Sequence, residues 1–283
     1  MAKILYGKDV TEALNKKIIS DVESLKEKGI NPTLGMIRVG ENESDLSYER
    51  GATKRCETLG VEIVKFLLPE NVSEKELLAV IDKVNKDDTI HGVIMLRPLP
   101  KHLNSEKIEN ALDPAKDVDS MTDISMAGVF TGKQLGFPPC TAKACIEILD
   151  YYGIDCTGKK VVVIGRSLVV GKPVAMMLIQ KNATVTICHT KTIEMAAISR
   201  EADIIIAAAG HAGVVDGAYV RAGQTVIDVG INFTDEGKLC GDVAFDKVEP
   251  IVNAITPVPG GVGGVTTSVL VGHVVEAAKR KHL

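Results

Sequence analysis

"VVVIGRSLVVGKPVAMML", residues 161–178, runs from an apolar strand through a glycine turn into a helix. Pro173 suits a first helical turn, where its missing N–H costs little. The N–H groups at such a helix start favour a pyrophosphate. The dinucleotide fingerprint wants glycine at its first, third and sixth places. Here those places hold Gly165, Ser167 and Val170, with Gly171 one step late. The strict motif fails. By itself the turn suits a plain strand-to-helix turn with a packing glycine as well as it suits a cofactor cradle.

The next strand, "ATVTICH" (183–189), runs into "CHTKT" (188–192). No Asp or Glu stands there to hold the ribose hydroxyls of NAD. Thr190 and Lys191 stand there instead, and Arg166 lies in the first turn. That positive, hydroxyl-bearing setting suits a 2′-phosphate, so NADP is expected, with NAD left open. Lys191 reads equally as a solvated surface charge. His189 reads as a structural or cofactor-contact residue rather than an acid or base, and Cys188 as a small buried side chain.

The strands "ADIIIAAAG" (202–210) and "TVIDVGIN" (225–232) continue this α/β series. The first third of the chain has the same rhythm. "TLGMIRV" (33–39), "VEIVKFL" (61–67) and "IHGVIML" (90–96) alternate with helical segments, and Ser73 with Glu76 fits a capping box. Asp9 and Glu12 open a long first helix that ends near Gly29. Such alternation predicts parallel sheets covered by helices. After the stiff "RPLPKH" (97–102), residues 113–139 read as a loop rich in Asp, Gly and Pro. A helix from Thr141 to about Tyr152 reads as a bridge between two lobes. The last helix, from about Thr266 to Lys281, is amphipathic enough to pack on the first lobe. The expected fold is therefore α/β in two lobes: residues 1–140 with 266–283, and a Rossmann-like parallel-sheet lobe over 141–265.

Composition narrows the function class. The 283 residues are 45% apolar and 25% charged with a net charge of −4, as in a globular enzyme with a sizeable core. No basic block suggests nucleic acid, and the absence of Trp argues against stacking on many bases. No stretch is long enough to span a bilayer, and the N-terminus lacks a signal-peptide core. Six scattered cysteines without a Cys-x-x-Cys pair read as reduced thiols in a cytoplasmic setting, with no structural zinc.

The motifs "VVVIGRSLVVGKP", "TVTICHTKT", "VIDVGIN", "GDV" (241–243), "KDVD" (116–119) and "ITPVPGGVGG" occur in an order and spacing that resemble the methylenetetrahydrofolate dehydrogenase/cyclohydrolase family. The resemblance covers essentially the whole chain, and "TPVPGGVG" is its most specific piece. It makes an unrelated Rossmann dehydrogenase improbable. The resemblance implies an N-terminal folate-binding catalytic lobe, a Rossmann-like NAD(P) lobe, a folate cleft between them, and a homodimer. It also implies two reactions: oxidation of 5,10-methylenetetrahydrofolate to the methenyl form, then hydrolysis to 10-formyltetrahydrofolate. By motif match, Gly165, Arg166, Ser167 and Gly171 belong to the cofactor turn, Thr190 reaches the adenosine side, and Ile231 contacts the nicotinamide through its backbone. Tyr48 matches the family tyrosine that lies along the folate and Asp119 the aspartate that bonds the pterin, so the resemblance implies catalytic and substrate-binding roles for both. Gly260 and Gly261 let the backbone approach the folate.

The chain departs from the family pattern where water chemistry is done. The family has Tyr-x-x-x-Lys, but Tyr48 is followed four places on by Ala52. Lys54, six places on, lies about 240° round a helix, on a different face. Leu96 stands at the family glutamine and Arg97 at the leucine that follows it. Milder changes are Ser120 for a glycine, Gly264 and Val265 for Pro-Met, and His273 where Asn is common. Hydride removal from the methylene carbon needs alignment rather than proton transfer. Ring opening by water needs an acid–base group, worth about 10²–10⁴-fold. The expectation is a dehydrogenase with weak or absent cyclohydrolase. The alternatives are a bifunctional enzyme, with Lys54 or Arg97 as candidate replacements, and a non-catalytic folate or nucleotide sensor. Arg97 is also a candidate contact for the folate or its glutamate tail.

Overall fold

The computed structural model describes residues 1–234 and 236–282. In chain order the elements begin with β1 (Lys3–Ile4), α1 (Gly7–Glu27), β2 (Thr33–Val39), α2 (Glu43–Leu59), β3 (Glu62–Leu68), α3 (Glu74–Lys86) and β4 (Gly92–Met95). Then come α4 (Ser105–Glu109), α5 (Asp123–Thr131), α6 (Cys140–Tyr151), β5 (Lys160–Ile164), α7 (Gly171–Gln180), β6 (Thr184–Cys188), α8 (Met195–Arg200) and β7 (Ile204–Ala207). The chain closes with β8 (Thr225–Asp228), β9 (Asn232–Phe233), β10 (Leu239–Cys240), α9 (Phe245–Val248), β11 (Ala254–Ile255) and α10 (Val262–His282). No described helix is long and apolar enough to cross a membrane.

The chain divides into two compact units. One comprises Ala13–Cys140 with Thr267–Leu283. Its sheet has the order β3-β2-β4, all parallel, with Thr33 opposite Glu62 and Leu34 opposite Gly92. Strand β2 is buried along its whole length, as a central parallel strand covered on both faces must be. Ile37, Val93 and Met95 of this sheet pack with Leu77, Ile81 and Val84 of α3. The Ser73–Glu76 capping box that starts α3 forms as expected. The C-terminal part of α10 belongs to this unit, with Val274 and Val118 close enough to Gly92 that a side chain there would overlap both.

The other unit comprises Met1–Glu12 with Thr141–Thr266. Its six-stranded sheet has the order β1-β11-β8-β7-β5-β6, and every pair is parallel. The first residues group here, rather than with 13–140, because β1 pairs with β11 at the sheet edge. Two-residue strands leave no alternation to read, so neither was expected from sequence.

Two further differences have physical causes. Residues 123–131, expected as loop, form α5. Its buried face is Ser125, Gly128 and Val129, while Ile124 and Phe130 are exposed, so apolar periodicity conceals it. Its start is capped instead by the Thr122 side chain, which accepts the Ser125 amide. Helix α10 begins at Val262, four residues before the expected Thr266, and runs through Gly263 and Gly264. Glycine is a weak helix former, which hides that first turn in the sequence.

Candidate active site

Helix α2 starts where Asn42 accepts the Ser44 amide and ends at Gly60, whose left-handed backbone (φ 74°) closes the last turn. On it Tyr48 is half-buried. Burial pushes its phenol well above its usual value, and Asp119, Cys140 and Cys56 push the same way. The phenol therefore stays protonated at neutral pH: it can donate a hydrogen bond and offer a flat face, but it is no base. Glu49, next on the helix, holds α2 to the sheet. Its carboxylate takes Arg38 Nε at 2.7 Å and Lys65 Nζ at 2.9 Å. Burial opposes its charge, yet those two cations hold the carboxyl below its usual value. This anchor went unread in the sequence; its signal was Arg38, a charge inside the wholly buried strand "TLGMIRV".

Asp119 lies in the turn between α4 and α5. Fully buried Asp117 shapes that turn by accepting the Met121 amide at 3.0 Å, the Thr122 amide at 2.9 Å and the Thr122 hydroxyl at 2.8 Å. Ser120 adopts φ 56°, the left-handed region that explains glycine as the family residue there. The Asp119 carboxylate accepts the Cys140 amide at 2.8 Å. Burial pushes this carboxyl up, while the Cys140 hydrogen bonds and the Arg97 charge pull it down. Arg97 also pairs with Glu109 at 3.5 Å, so it is a half-buried ion-pair member beside Asp119 rather than a free surface charge. Tyr48 and Asp119, distant in sequence, are thus electrostatic neighbours.

Where the family lysine and glutamine stand, this unit has buried hydrocarbon. Ala52 is fully buried on α2 and Leu96 is buried just past β4. Lys54 is exposed on an unbroken helix. It is on the face that the helical angle predicts, away from Tyr48 and Ala52.

In the other unit the turn after β5 is built on glycine. Gly165 has φ 133°, and a side chain on it would overlap the Ala208 carbonyl. A side chain on Gly171 would overlap the Gly165 carbonyl and the Arg166 amide. The late glycine thus supplies in space the close helix–strand approach that the standard spacing supplies in sequence. Ser167 Oγ accepts the Val170 amide at 3.1 Å and so braces the turn just before α7. Arg166, Thr190 and Lys191 are exposed just past the ends of the paired strands β5 and β6. His189 Nδ1 accepts the Lys191 amide at 3.1 Å, and the His189 amide donates to Thr192 Oγ1 at 2.9 Å. With Nδ1 so used, His189 is a turn residue. A methyl at Gly171 overpacks the turn, at about 1–3 kcal/mol or more. Gly171→Ala is therefore expected to melt earlier and to lose protection by NADP; calorimetry with and without cofactor measures both.

Two carboxylates that the sequence reading did not single out shape the loop carrying Ile231. Asp228 accepts the amides of Gly230 and Asp242 at 2.9 Å and of Val243 at 3.0 Å. Asp242 accepts the Ala209 amide at 2.6 Å, the Gly210 amide at 2.9 Å and Asn232 Nδ2 at 2.9 Å. Ile231 itself projects into solvent, 69% exposed. Burial pushes the Asp228 carboxyl up to about 6, its N–H donors pull back, and Asp242 adds to the push. A raised folded value means that the folded chain keeps this proton after the unfolded chain has lost it. The stability it contributes is present below about pH 4 and is lost, by up to about 3 kcal/mol, as pH rises to about 6. Asp228→Asn is expected to remove that slope; urea titrations of both proteins across the window check it.

The "TPVPGGVGG" turn lies in this second unit. Gly260 is exposed with φ 102°, leaving its backbone open to a ligand. Gly261 is buried, and a side chain on it would overlap the Pro257 carbonyl. The Gly7 amide donates to the Gly260 carbonyl at 2.8 Å. The chain's own packing thus already requires glycine at 261.

Comparison with known proteins agrees with both units. Residues 5–119 match the tetrahydrofolate dehydrogenase/cyclohydrolase catalytic domain, and residues 139–282 match the NAD(P)-binding domain of the same family. The bifunctional protein FolD of Clostridioides difficile (strain 630) is 49% identical over 277 residues, covering 98% of this chain and 96% of that protein. The solved bifunctional FolD of Campylobacter jejuni superposes with a TM-score of 0.97 at 38% identity, over 99% of this chain and 100% of the other. The Trypanosoma brucei dehydrogenase–cyclohydrolase, solved with NADP and an inhibitor, superposes with a TM-score of 0.92 at 33% identity, over 99% and 98%. The chain belongs to the tetrahydrofolate dehydrogenase/cyclohydrolase family.

Proposed function

We propose that this chain oxidises 5,10-methylenetetrahydrofolate to the methenyl form with NADP, a step of one-carbon metabolism. The observation that carries the reading is that Tyr48 and Asp119 are electrostatic neighbours in one unit of a chain whose other unit has the Gly165–Gly171 turn. The glycine turn, the Ser167 hydroxyl that braces it, and exposed Arg166 and Thr190 fit a dinucleotide with a 2′-phosphate. When bound, its nicotinamide supplies the hydride acceptor. Asp119 accepts hydrogen bonds from the pterin and so orients the folate. The protonated Tyr48 phenol lies along it and donates. The folate's own nitrogen lone pair expels the hydride, so these residues have only to align the reacting carbons at about 3–3.5 Å.

The names of the relatives back hydrolysis of the methenyl product on the same chain better than they back its loss. In that bifunctional reading, a group other than residues 52 and 96 moves the proton. Buried Ala52 and Leu96 favour a second reading, in which oxidation survives and hydrolysis is weak: neither side chain can carry a proton. One experiment separates the two. Purified protein is given methenyltetrahydrofolate and its absorbance decay is followed; decay well above the buffer rate supports the bifunctional reading, and decay at the buffer rate supports the second. Reduction of NADP, and of NAD for comparison, on adding methylenetetrahydrofolate tests the oxidation. No reduction with either cofactor would leave a non-catalytic sensor.

A homodimer in the cytoplasm completes the proposal. Strand β3 is an unpaired outer edge bearing exposed Val64 and Leu67, a surface that a second copy could cover. Sedimentation at micromolar concentration tests the dimer.

A further inference from the structure

Two helices, α6 through its first residue Cys140 and α10 through His273, converge within one unit on the peptide that carries Asp119. The Val118 carbonyl, one residue before it, accepts the Nδ1–H of His273 at 2.9 Å. The same carbonyl accepts the Cys140 thiol at 3.3 Å, while the Cys140 amide donates to the Asp119 carboxylate at 2.8 Å. Cys140 Sγ and His273 Nδ1 lie 3.7 Å apart. The His273 ring packs at a tilt on Phe137, centroids 5.1 Å apart, and the Arg280 guanidinium covers the Phe137 ring at 4.2 Å. Both His273 and Cys140 are buried.

The chemistry of these groups decides which of them holds the turn. A carbonyl only accepts, so Nδ1 of His273 carries the hydrogen. A thiol is a weak donor, which leaves the imidazole as the strong restraint on Val118. That restraint sets the rotation of the Val118–Asp119 peptide, and the peptide's rotation sets where the Asp119 side chain leaves the backbone. Errors of about 1 Å in such a group are costly to a reaction that depends on alignment.

We propose that His273 is a positioning residue for the oxidation: it holds the Val118 carbonyl and thereby aims the Asp119 carboxylate at the pterin, without touching the substrate. The inference rests on the assignment of Asp119 to the pterin made above. It gives a role to one of the chain's departures from the family pattern. Asparagine, common there, carries its amide nitrogen about where Nδ1 of histidine lies and can make the same bond. Glutamine carries its nitrogen one bond further out, near Nε2, and cannot make it from the same rotamer.

The test compares His273→Asn, His273→Gln and His273→Ala in the full chain, with steady-state kinetics and melting temperatures. His273→Asn is expected to keep the folate KM within about threefold of wild type, and His273→Gln and His273→Ala to raise it about tenfold. The NADP KM is expected to stay unchanged in all three. A wild-type folate KM in the Gln and Ala variants overturns the proposal, as does an equal rise of both KM values. If only the Asn variant folds, His273 serves stability alone and the proposal is also overturned. Asp119→Ala in the same assay separates the two levels of the argument. If it leaves the folate KM unchanged, the assignment of Asp119 falls. If it is impaired while His273→Gln is not, only the present inference falls.

Discussion

Asp119→Ala is expected to lower kcat/KM for methylenetetrahydrofolate about a thousandfold, the equivalent of about 4 kcal/mol. The carboxylate is half-buried, accepts the Cys140 amide and is partnered electrostatically by Arg97. In the proposed role, truncating it leaves the pterin donors without an acceptor, and a buried donor without a partner costs more than the hydrogen bond was worth. The NADP affinity should not move, because the glycine turn belongs to the other unit. Fluorescence titration with NADPH measures that affinity, and initial rates measure the loss. A loss under about tenfold would remove Asp119 from the substrate site.

The double variant Ala52→Lys with Leu96→Gln is expected to raise methenyltetrahydrofolate hydrolysis by about 10²–10⁴-fold, if the wild type hydrolyses it weakly. Oxidation should change little, since hydride removal asks for no proton. Ala52 is fully buried, so a lysine there must either turn toward the folate or lose its charge, and the variant should melt earlier than wild type. Either single change should gain less than the pair, because an amine and its amide partner act as a unit. Unchanged hydrolysis in a folded, oxidising double variant would show that these two positions do not limit the second reaction. Hydrolysis already fast in the wild type would assign the proton to another group and support the bifunctional reading.

Both predictions turn on residues that the family resemblance singles out, whereas spacing was a good guide where the physics is local. The strand 33–39 was read with its observed limits, because a covered parallel strand is a continuous apolar run. The Ser73–Glu76 cap was legible because its hydrogen bonds span only three residues. Lys54 could be placed on the wrong face from the helical angle alone. Strands β1 and β11 were not legible. Each has two residues and exists only through its pairing, β1 with β11 from the far end of the chain and β11 also with β8. Gly171 looked misplaced until its contact with the Gly165 carbonyl explained it. Asp228 and Asp242 lay inside quoted motifs, but their task is to hold loop amides several strands apart.

The alternation of the longer strands and helices and the glycine turn were determined by the sequence alone, as matters of residue type and short-range period, and the family resemblance marked Ala52 and Leu96 as departures. Only the tertiary structure decided that Tyr48 and Asp119 feel each other, that Glu49 pins α2 through Arg38 and Lys65, and that His273 and Cys140 grip the turn beneath Asp119. Those relations join side chains far apart along the chain, and their strength depends on burial, which no local pattern of residues specifies.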